Sequence, residues 1–469
     1  MITFFVALLL LIGGYMTYGR VIDSMFGPTE KPTPALVKED GVDYVPLPAP
    51  KVFLIQLLNI AGLGPIFGAI SGALWGPVVY FWIVLGTIFS GAVHDYLSGM
   101  ISLRHNGASI AEVVGTYLGD TMKTVMRVFS VVLLVLVGTV FATGPALLLA
   151  KLTGWTAMSW LVIVLIYYFL ATLLPVDKVI GKVYPFFGVC LIVMAVGVAG
   201  GILLEGYHMP EMQLANLHPS DLPIWPLMFI TVACGATSGF HATQSPMMAR
   251  CLRDERCGRP VFYGAMVSEG IIALIWAAAG VAFYDSTGGL AQAMAQGGPG
   301  GVVYDISFAV LGTAGGALAM IGVIACPITS GDTAFRSARL TLSDWFNIEQ
   351  VSKKSRLLIS VPLLAIGGLL SQIDFNIIWR YFSWSNQTLA MIALWAGAMY
   401  LYRNDKNYWV AAIPATFMSA VTWTYILQAP EGFGLPTEFT YPAGMAFAAV
   451  SLIKFMRVTR KRAYEVKIQ

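Results

Sequence analysis

Charge is scarce in this chain. Asp, Glu, Lys and Arg make up only 11% of its 469 residues, against roughly a quarter in an ordinary soluble domain, and this excludes a water-soluble enzyme. The basic excess is small as well. Lys and Arg number 28 against 25 acids, a net charge of +3, which leaves no electrostatic footprint for nucleic acid. The five cysteines (Cys190, Cys234, Cys251, Cys257 and Cys326) are scattered, so neither a disulfide framework nor a metal-ligand spacing is visible, and no metal site is expected. Neither a Walker A sequence nor a His-Glu-x-x-His motif is present; ATP does not drive the chain directly, and no cofactor is implied. What the chain has in excess is apolar surface, 57% of its residues, arranged in blocks of membrane length.

A ruler of about 20 apolar residues per crossing yields about thirteen candidate spans and predicts an all-α polytopic membrane protein embedded in the lipid bilayer. Their limits are Ile2 to Gly19, Phe53 to Trp75, Pro77 to Met100, Val125 to Ala150, Ala157 to Leu174, Val183 to Leu204, Leu222 to Met248, Phe262 to Phe283, Asp305 to Thr329, Leu357 to Leu370, Phe375 to Leu401, Trp409 to Leu427 and Tyr441 to Phe455. The first block lacks a basic flank and a small-residue cleavage site, so it reads as a retained helix rather than a signal peptide. Cytoplasmic connections carry the excess of Lys and Arg. Counted over alternate connections, one side holds 26 of the 28, and only Lys151 and Arg380 fall elsewhere. This places the N-terminus outside and the C-terminus inside.

Two spans carry sequence that a continuous lipid-facing helix avoids. The second reads Asn59-Ile-Ala-Gly62-Leu-Gly64-Pro65, and the seventh runs from Cys234-Gly-Ala-Thr-Ser238-Gly239-Phe-His241 through Gln244 to Pro246. Glycine weakens a helix and proline removes a backbone donor. Non-helical backbone at membrane depth must face protein or a wet cavity. Each segment alone also reads as a proline kink. Together they lie five spans apart, and an odd offset inverts the second copy, the pattern of secondary transporters built on inverted repeats. The implied division is an extra N-terminal helix and cytoplasmic linker over 1–52, a first repeat over 53–204, a second over 205–401, and two extra helices with a basic tail over 402–469. Half-helix N-termini suit a substrate carboxylate, and unwound carbonyls suit a cation. The predicted binding residues are Asn59, Gly62 and Gly64 on one break, Ser238, Gly239, His241 and Gln244 on the other, with Asn386 and Gln387 from the eleventh span. A small carboxylate-bearing solute is the implied cargo.

At these residues the sequence resembles the carbon starvation protein A family of transporters. The resemblance runs through Asn59 to Pro65, Gly91-Ala-Val-His94-Asp95, Arg104-His-Asn-Gly-Ala-Ser109, Cys234 to His241, Gly264-Ala-Met-Val-Ser-Glu269, Gly331-Asp-Thr-Ala-Phe-Arg336 and Ser385-Asn-Gln-Thr-Leu-Ala390. It implies inner-membrane uptake of peptides or pyruvate under carbon starvation, on a fold similar to the LeuT-type five-plus-five repeat. The chain departs from the best-known members at Gln56-Leu-Leu-Asn59, where they carry a pair of histidines, and it is shorter at the C-terminal end.

Ionisable residues inside spans cost about 2.5–3.5 kcal/mol each at the membrane centre on insertion scales, so each is a functional candidate. His94, Asp95, Glu269, Asp332 and Arg336 all fall in the predicted cytoplasmic half, where they could form one polar cluster. Asp332 and Arg336, at i and i+4, also read as a helix-fixing salt bridge. His241 could carry a coupling proton or sit neutral against a carbonyl. Thr329 and Ser330 occupy the place where LeuT-like transporters complete a Na⁺ site. With Asp332 alongside, H⁺ is preferred over Na⁺ as the coupling ion. Arg380 reads either as an attractor for anions at the outer vestibule or as a snorkelling side chain. The rival readings are an intramembrane enzyme, a solute channel and, among transporters, an amino-acid:Na⁺ symporter.

Overall fold

A computed structural model describes residues 1–41, 43–173, 176–350 and 352–468, side chains excepted at 176–183 and 461–468. The side chains of Lys178, Lys182, Val183, Lys461, Arg462 and Lys467, and the predicted span end Leu174, lie outside what is so described. Among the described residues the only strand-like feature is a single bridge between Leu47 and Leu252. Helix is the expected outcome for long apolar runs, because in lipid every backbone polar group must be satisfied within the segment.

In chain order the helices are α1 (Ile2–Phe26), the bent pair α2a (Ala49–Ala61) and α2b (Gly64–Trp75), and α3 (Val78–Arg104). The short amphipathic α4 (Ile110–Leu118) precedes α5 (Asp120–Thr153), α6 (Ala157–Leu173) and α7 (Val176–Leu204). Next come α8a, a π turn over Ile224–Met228 continued by Phe229–Thr231, and α8b (Gly239–Ala249). The series ends with α9 (Glu255–Phe283), α10 (Thr287–Phe346), α11 (Lys353–Leu370), α12 (Phe375–Arg403), α13 (Trp409–Gln428) and α14 (Thr437–Ile468).

Eight of these helices are long and apolar enough to cross a bilayer, nine if the bent pair counts as one span. The chain is therefore a multi-pass membrane protein. Others fall short for visible reasons: α6 has 17 residues, and α11 opens with Lys353, Lys354 and Arg356. The long α5 and α10 lie against each other, while α8b is enclosed by α2a, α3 and α12. Helix α9 packs along α2, which puts its buried Glu269 beside the two interruptions.

The second interruption differs in extent from the sequence expectation. Helix α8a stops at Thr231 and α8b starts at Gly239, so the non-helical stretch is 232–238, and the chain from Gly239 through Pro246 is helical. A proline inside a buried membrane helix is tolerated because neighbours satisfy the freed carbonyl. The connection between the predicted eighth and ninth spans is partly helical. Ser286 caps α10 by accepting from the Gly289 amide at 3.0 Å, and the helical run is broken at Gly298 (φ +62) and again at Gly312 (φ +67), where separate helical segments meet at kinks.

Candidate functional site

The two interruptions touch. Gly62 has φ +33, a conformation that favours glycine, and the axes on either side of it differ by 53°. A Cβ on Gly62 would overlap the ring of Phe141, and one on Gly64 would overlap Cys234 at the second break. Gly235, at φ +92, sits against Ala273 and Pro65. Only residues without side chains allow these backbones to approach so closely. The carbonyls released by unwinding are served by side chains. Trp82 Nε1 donates to Val232 (3.1 Å), the Thr87 hydroxyl to Gly235 (2.9 Å) and the Ser330 hydroxyl to Leu58 (2.9 Å), satisfying groups that would be costly to bury unpaired.

Beside this crossing lies a row of four titratable side chains, all fully buried. His94 Nδ1 is 2.7 Å from Asp95 Oδ1, and Asp95 Oδ2 is 2.8 Å from His241 Nδ1. His241 Nε2 is 3.3 Å from Glu269 Oε2, close enough for an ion pair but not aligned as a hydrogen bond. The row thus joins α3, α8b and α9. His94 Nε2 and both Glu269 oxygens have no hydrogen-bond partner. No guanidinium or ammonium belongs to the row, so each group's charge depends on protons held by its neighbours. Cys234, His241 and Glu269 also offer ligand atoms within 4.8 Å of one another, a grouping that no ligand spacing in the sequence marks. The Cys234 thiol is engaged at 3.4 Å by Ser238 and by the Asn386 amide.

The in-membrane charges do not gather into one cluster. Asp332 and Arg336 lie apart from the row, with Tyr184 donating to Asp332 Oδ2 at 3.1 Å and Arg336 Nη2 at 4.0 Å from the same oxygen. Arg336 also donates to the Ala171 carbonyl at 3.1 Å. Thr329 and Ser330 adjoin this second cluster: Tyr184 is 3.3 Å from the Thr329 carbonyl, and the Ser330 hydroxyl bridges the carbonyls of Leu58 and Cys326.

The remaining predicted residues distribute between partners and orphans. Asn386 Oδ1 accepts from the Phe240 amide at 2.6 Å and lies 3.2 Å from the Ser238 hydroxyl. Gln387 Nε2 holds the Phe229 carbonyl at 3.1 Å, just before the second break. Gln244 Nε2 reaches Thr243 (2.9 Å) and Ser337 (3.5 Å). Asn59 is fully buried with neither amide atom paired. Gln56, which the sequence reading did not select, reaches the Ser245 hydroxyl at 3.3 Å and leaves its own Oε1 free. Its signal was its place three residues before Asn59, on the same helical face. Arg380 is paired with Glu431 at 3.4 Å, across to the loop that follows α13.

Two different linings adjoin the interrupted helices. Aromatic rings run from α2b through α12 and α5 to α8b: Phe67 to Trp379 (6.2 Å), Trp379 to Phe382 (5.3 Å), Phe382 to Phe141 (6.2 Å) and Phe141 to Phe240 (6.0 Å). A narrow cleft of about 40 Å³ borders α8b and has a mixed lining, with Ser130, Thr243, Arg250 and Asp344 beside Met247 and Leu340.

Comparison with known proteins follows the same lines. The family model described as carbon starvation protein CstA matches residues 1–158, 145–297 and 278–425. An uncharacterized membrane protein of Haemophilus influenzae is 42% identical over 352 residues, covering 63% of this chain and 95% of that protein. The peptide transporter CstA of Escherichia coli is 24% identical over 84% of this chain and 75% of its own length. The E. coli pyruvate/proton symporter BtsT is 27% identical over 52% of this chain, which spans 43% of that relative. Among solved structures, a mutant of the Eremococcus coleocola manganese transporter aligns with a TM-score of 0.55 at 11% identity, covering 87% of this chain and 93% of that one; the likeness is one of fold. With its motifs, its broken helices and this match over nearly its whole length, the chain belongs to the carbon starvation protein CstA family.

Proposed function

We propose that this protein is a proton-coupled secondary transporter that imports small carboxylate-bearing nutrients, with pyruvate-like acids and short peptides as the substrate classes. The reading adopts about thirteen crossings, a five-plus-five inverted repeat over 53–204 and 205–401, an outer N-terminus and an inner C-terminus. One observation carries it: the buried row His94–Asp95–His241–Glu269 lies against the crossing of the two interrupted helices. A histidine between two carboxylates changes charge by passing a proton to a neighbour, and imidazole titrates in the physiological range. A proton entering or leaving that row changes the charge of the site that faces the solute. The names of the E. coli relatives, a peptide transporter and a pyruvate/proton symporter, support the same substrate classes. Ser330 and the Leu58 carbonyl are the corresponding elements for a Na⁺-driven reading.

Proteoliposomes containing the purified chain test the proposal with labelled pyruvate and labelled dialanine under an imposed pH or Na⁺ gradient. Accumulation above equilibrium with an inward proton gradient and no Na⁺ is the expected result. Strict dependence on Na⁺ would transfer coupling to the Thr329–Ser330 region. Flux that only equilibrates under both gradients would mark a channel, and a chemically altered solute would mark an enzyme.

A further inference from the structure

Helix α8b begins in the middle of the protein, and an α-helix start exposes backbone N–H groups that require an acceptor. Its own cap residue, Ser238, makes no side-chain bond to the first turn. The acceptor comes instead from the middle of another helix, through Asn386 Oδ1 on the Phe240 amide at 2.6 Å. The Asn386 amide nitrogen lies 3.1 Å from the Ser238 hydroxyl and 3.4 Å from the Cys234 sulfur. The fit is tight: a Cβ on Gly239 would run into the backbone of Asn386 and Ala390. Thr237, immediately before the cap, has a fully buried hydroxyl with no partner. The start of α8b is therefore a polar seat with one occupant and one unused hydroxyl.

We propose that Asn386 holds the seat of the substrate carboxylate, and that solute entry displaces its amide from the start of α8b. The inference rests on the carboxylate-solute reading above and adds a competing ligand resident in the protein. An amide oxygen has the shape of a carboxylate oxygen without its charge. An anion at a helix N-terminus gains charge-assisted bonds and a favourable dipole, so a carboxylate outcompetes the amide. The exchange also has a mechanical consequence. The Asn386 bond is one tie between α12 and α8b, and its release loosens that contact only when a solute has arrived, while the Gly239 packing stays. His241, the residue after Phe240, belongs to the titratable row, so the seat and the proton-bearing groups share one turn of helix.

Binding of labelled pyruvate and dialanine to the full-length purified chain tests this with opposed variants. Asn386→Ala removes the competitor and is expected to bind the preferred solute about three- to tenfold more tightly, the worth of one net hydrogen bond, while transport turnover falls. Asn386→Asp installs a permanent carboxylate and is expected to weaken binding by about tenfold or more at neutral pH. Asn386→Ser stands in for the alanine variant if that protein does not fold. Unchanged or weaker binding in the alanine or serine variant overturns the proposal, making Asn386 a direct ligand or a structural tie, and leaves the transporter reading intact. Binding of neither solute to wild type or any variant overturns the carboxylate reading and this inference with it.

Discussion

The two buried acidic clusters differ in what stands next to the carboxylate. Asp95 lies between two imidazoles, with Glu269 beyond the second. Asp332 faces a phenol and a guanidinium. A guanidinium stays charged throughout the range in which imidazoles titrate. A proton taken up by Asp332 would leave the buried Arg336 charge uncompensated, and an isolated buried charge is expensive. In the row, a proton can move from one member to the next without stranding a fixed charge. On the proposed proton-coupled reading, the comparison teaches that depth in the membrane does not by itself select a coupling group; the neighbouring cation decides.

This contrast can be broken in four ways. The largest effect is expected for Asp95→Asn or Glu269→Gln, each of which should reduce proton-driven accumulation to the vesicle background while exchange of bound solute persists. Counterflow and gradient-driven uptake measured in the same preparation check this. Asp332→Asn should act mainly on stability. Breaking a buried pair costs about 3–5 kcal/mol, a drop of many degrees in melting temperature, with accumulation per folded molecule retained. If Asp332→Asn abolishes coupling and Glu269→Gln does not, the roles are reversed. His94→Asn, at the free end of the row, should leave accumulation in place with a lower rate and a displaced pH–rate profile. Tyr184→Phe is the mildest: it removes one hydrogen bond, about 0.5–1.5 kcal/mol, and should lower the melting temperature by a few degrees without altering the pH profile.

Much of this arrangement was legible in the residues themselves. Gly62-Leu-Gly64-Pro65 and Cys234-Gly235 mark the two interruptions because glycine and proline act locally, and the structure breaks at both places. The same local rule overreached at Pro246, where packing keeps the backbone helical; in the 285–301 segment the chain is helical up to a break at Gly298. The candidate charges were identifiable one by one from their cost in lipid, but their grouping was not. The sequence offered one cytoplasmic-half cluster, whereas Glu269 meets His241, 28 positions away on another helix, and Asp332 keeps to Arg336. Asn386 was recognisable as a polar residue in a span. Its bond to the Phe240 amide was not, since nothing in a mid-helix asparagine announces which distant backbone it will cap.

The run of rings from Phe67 to Phe240 bears on membrane voltage. Its tilted and edge-to-face pairs make an apolar section, and potential falls mainly across regions that exclude water and ions. His241 follows Phe240, so the titratable row sits at one end of the rings. On the proposed orientation and proton coupling, a proton that reaches the row across the rings gains about 2.3 kcal/mol per 100 mV of potential crossed, and interior-negative voltage favours loading.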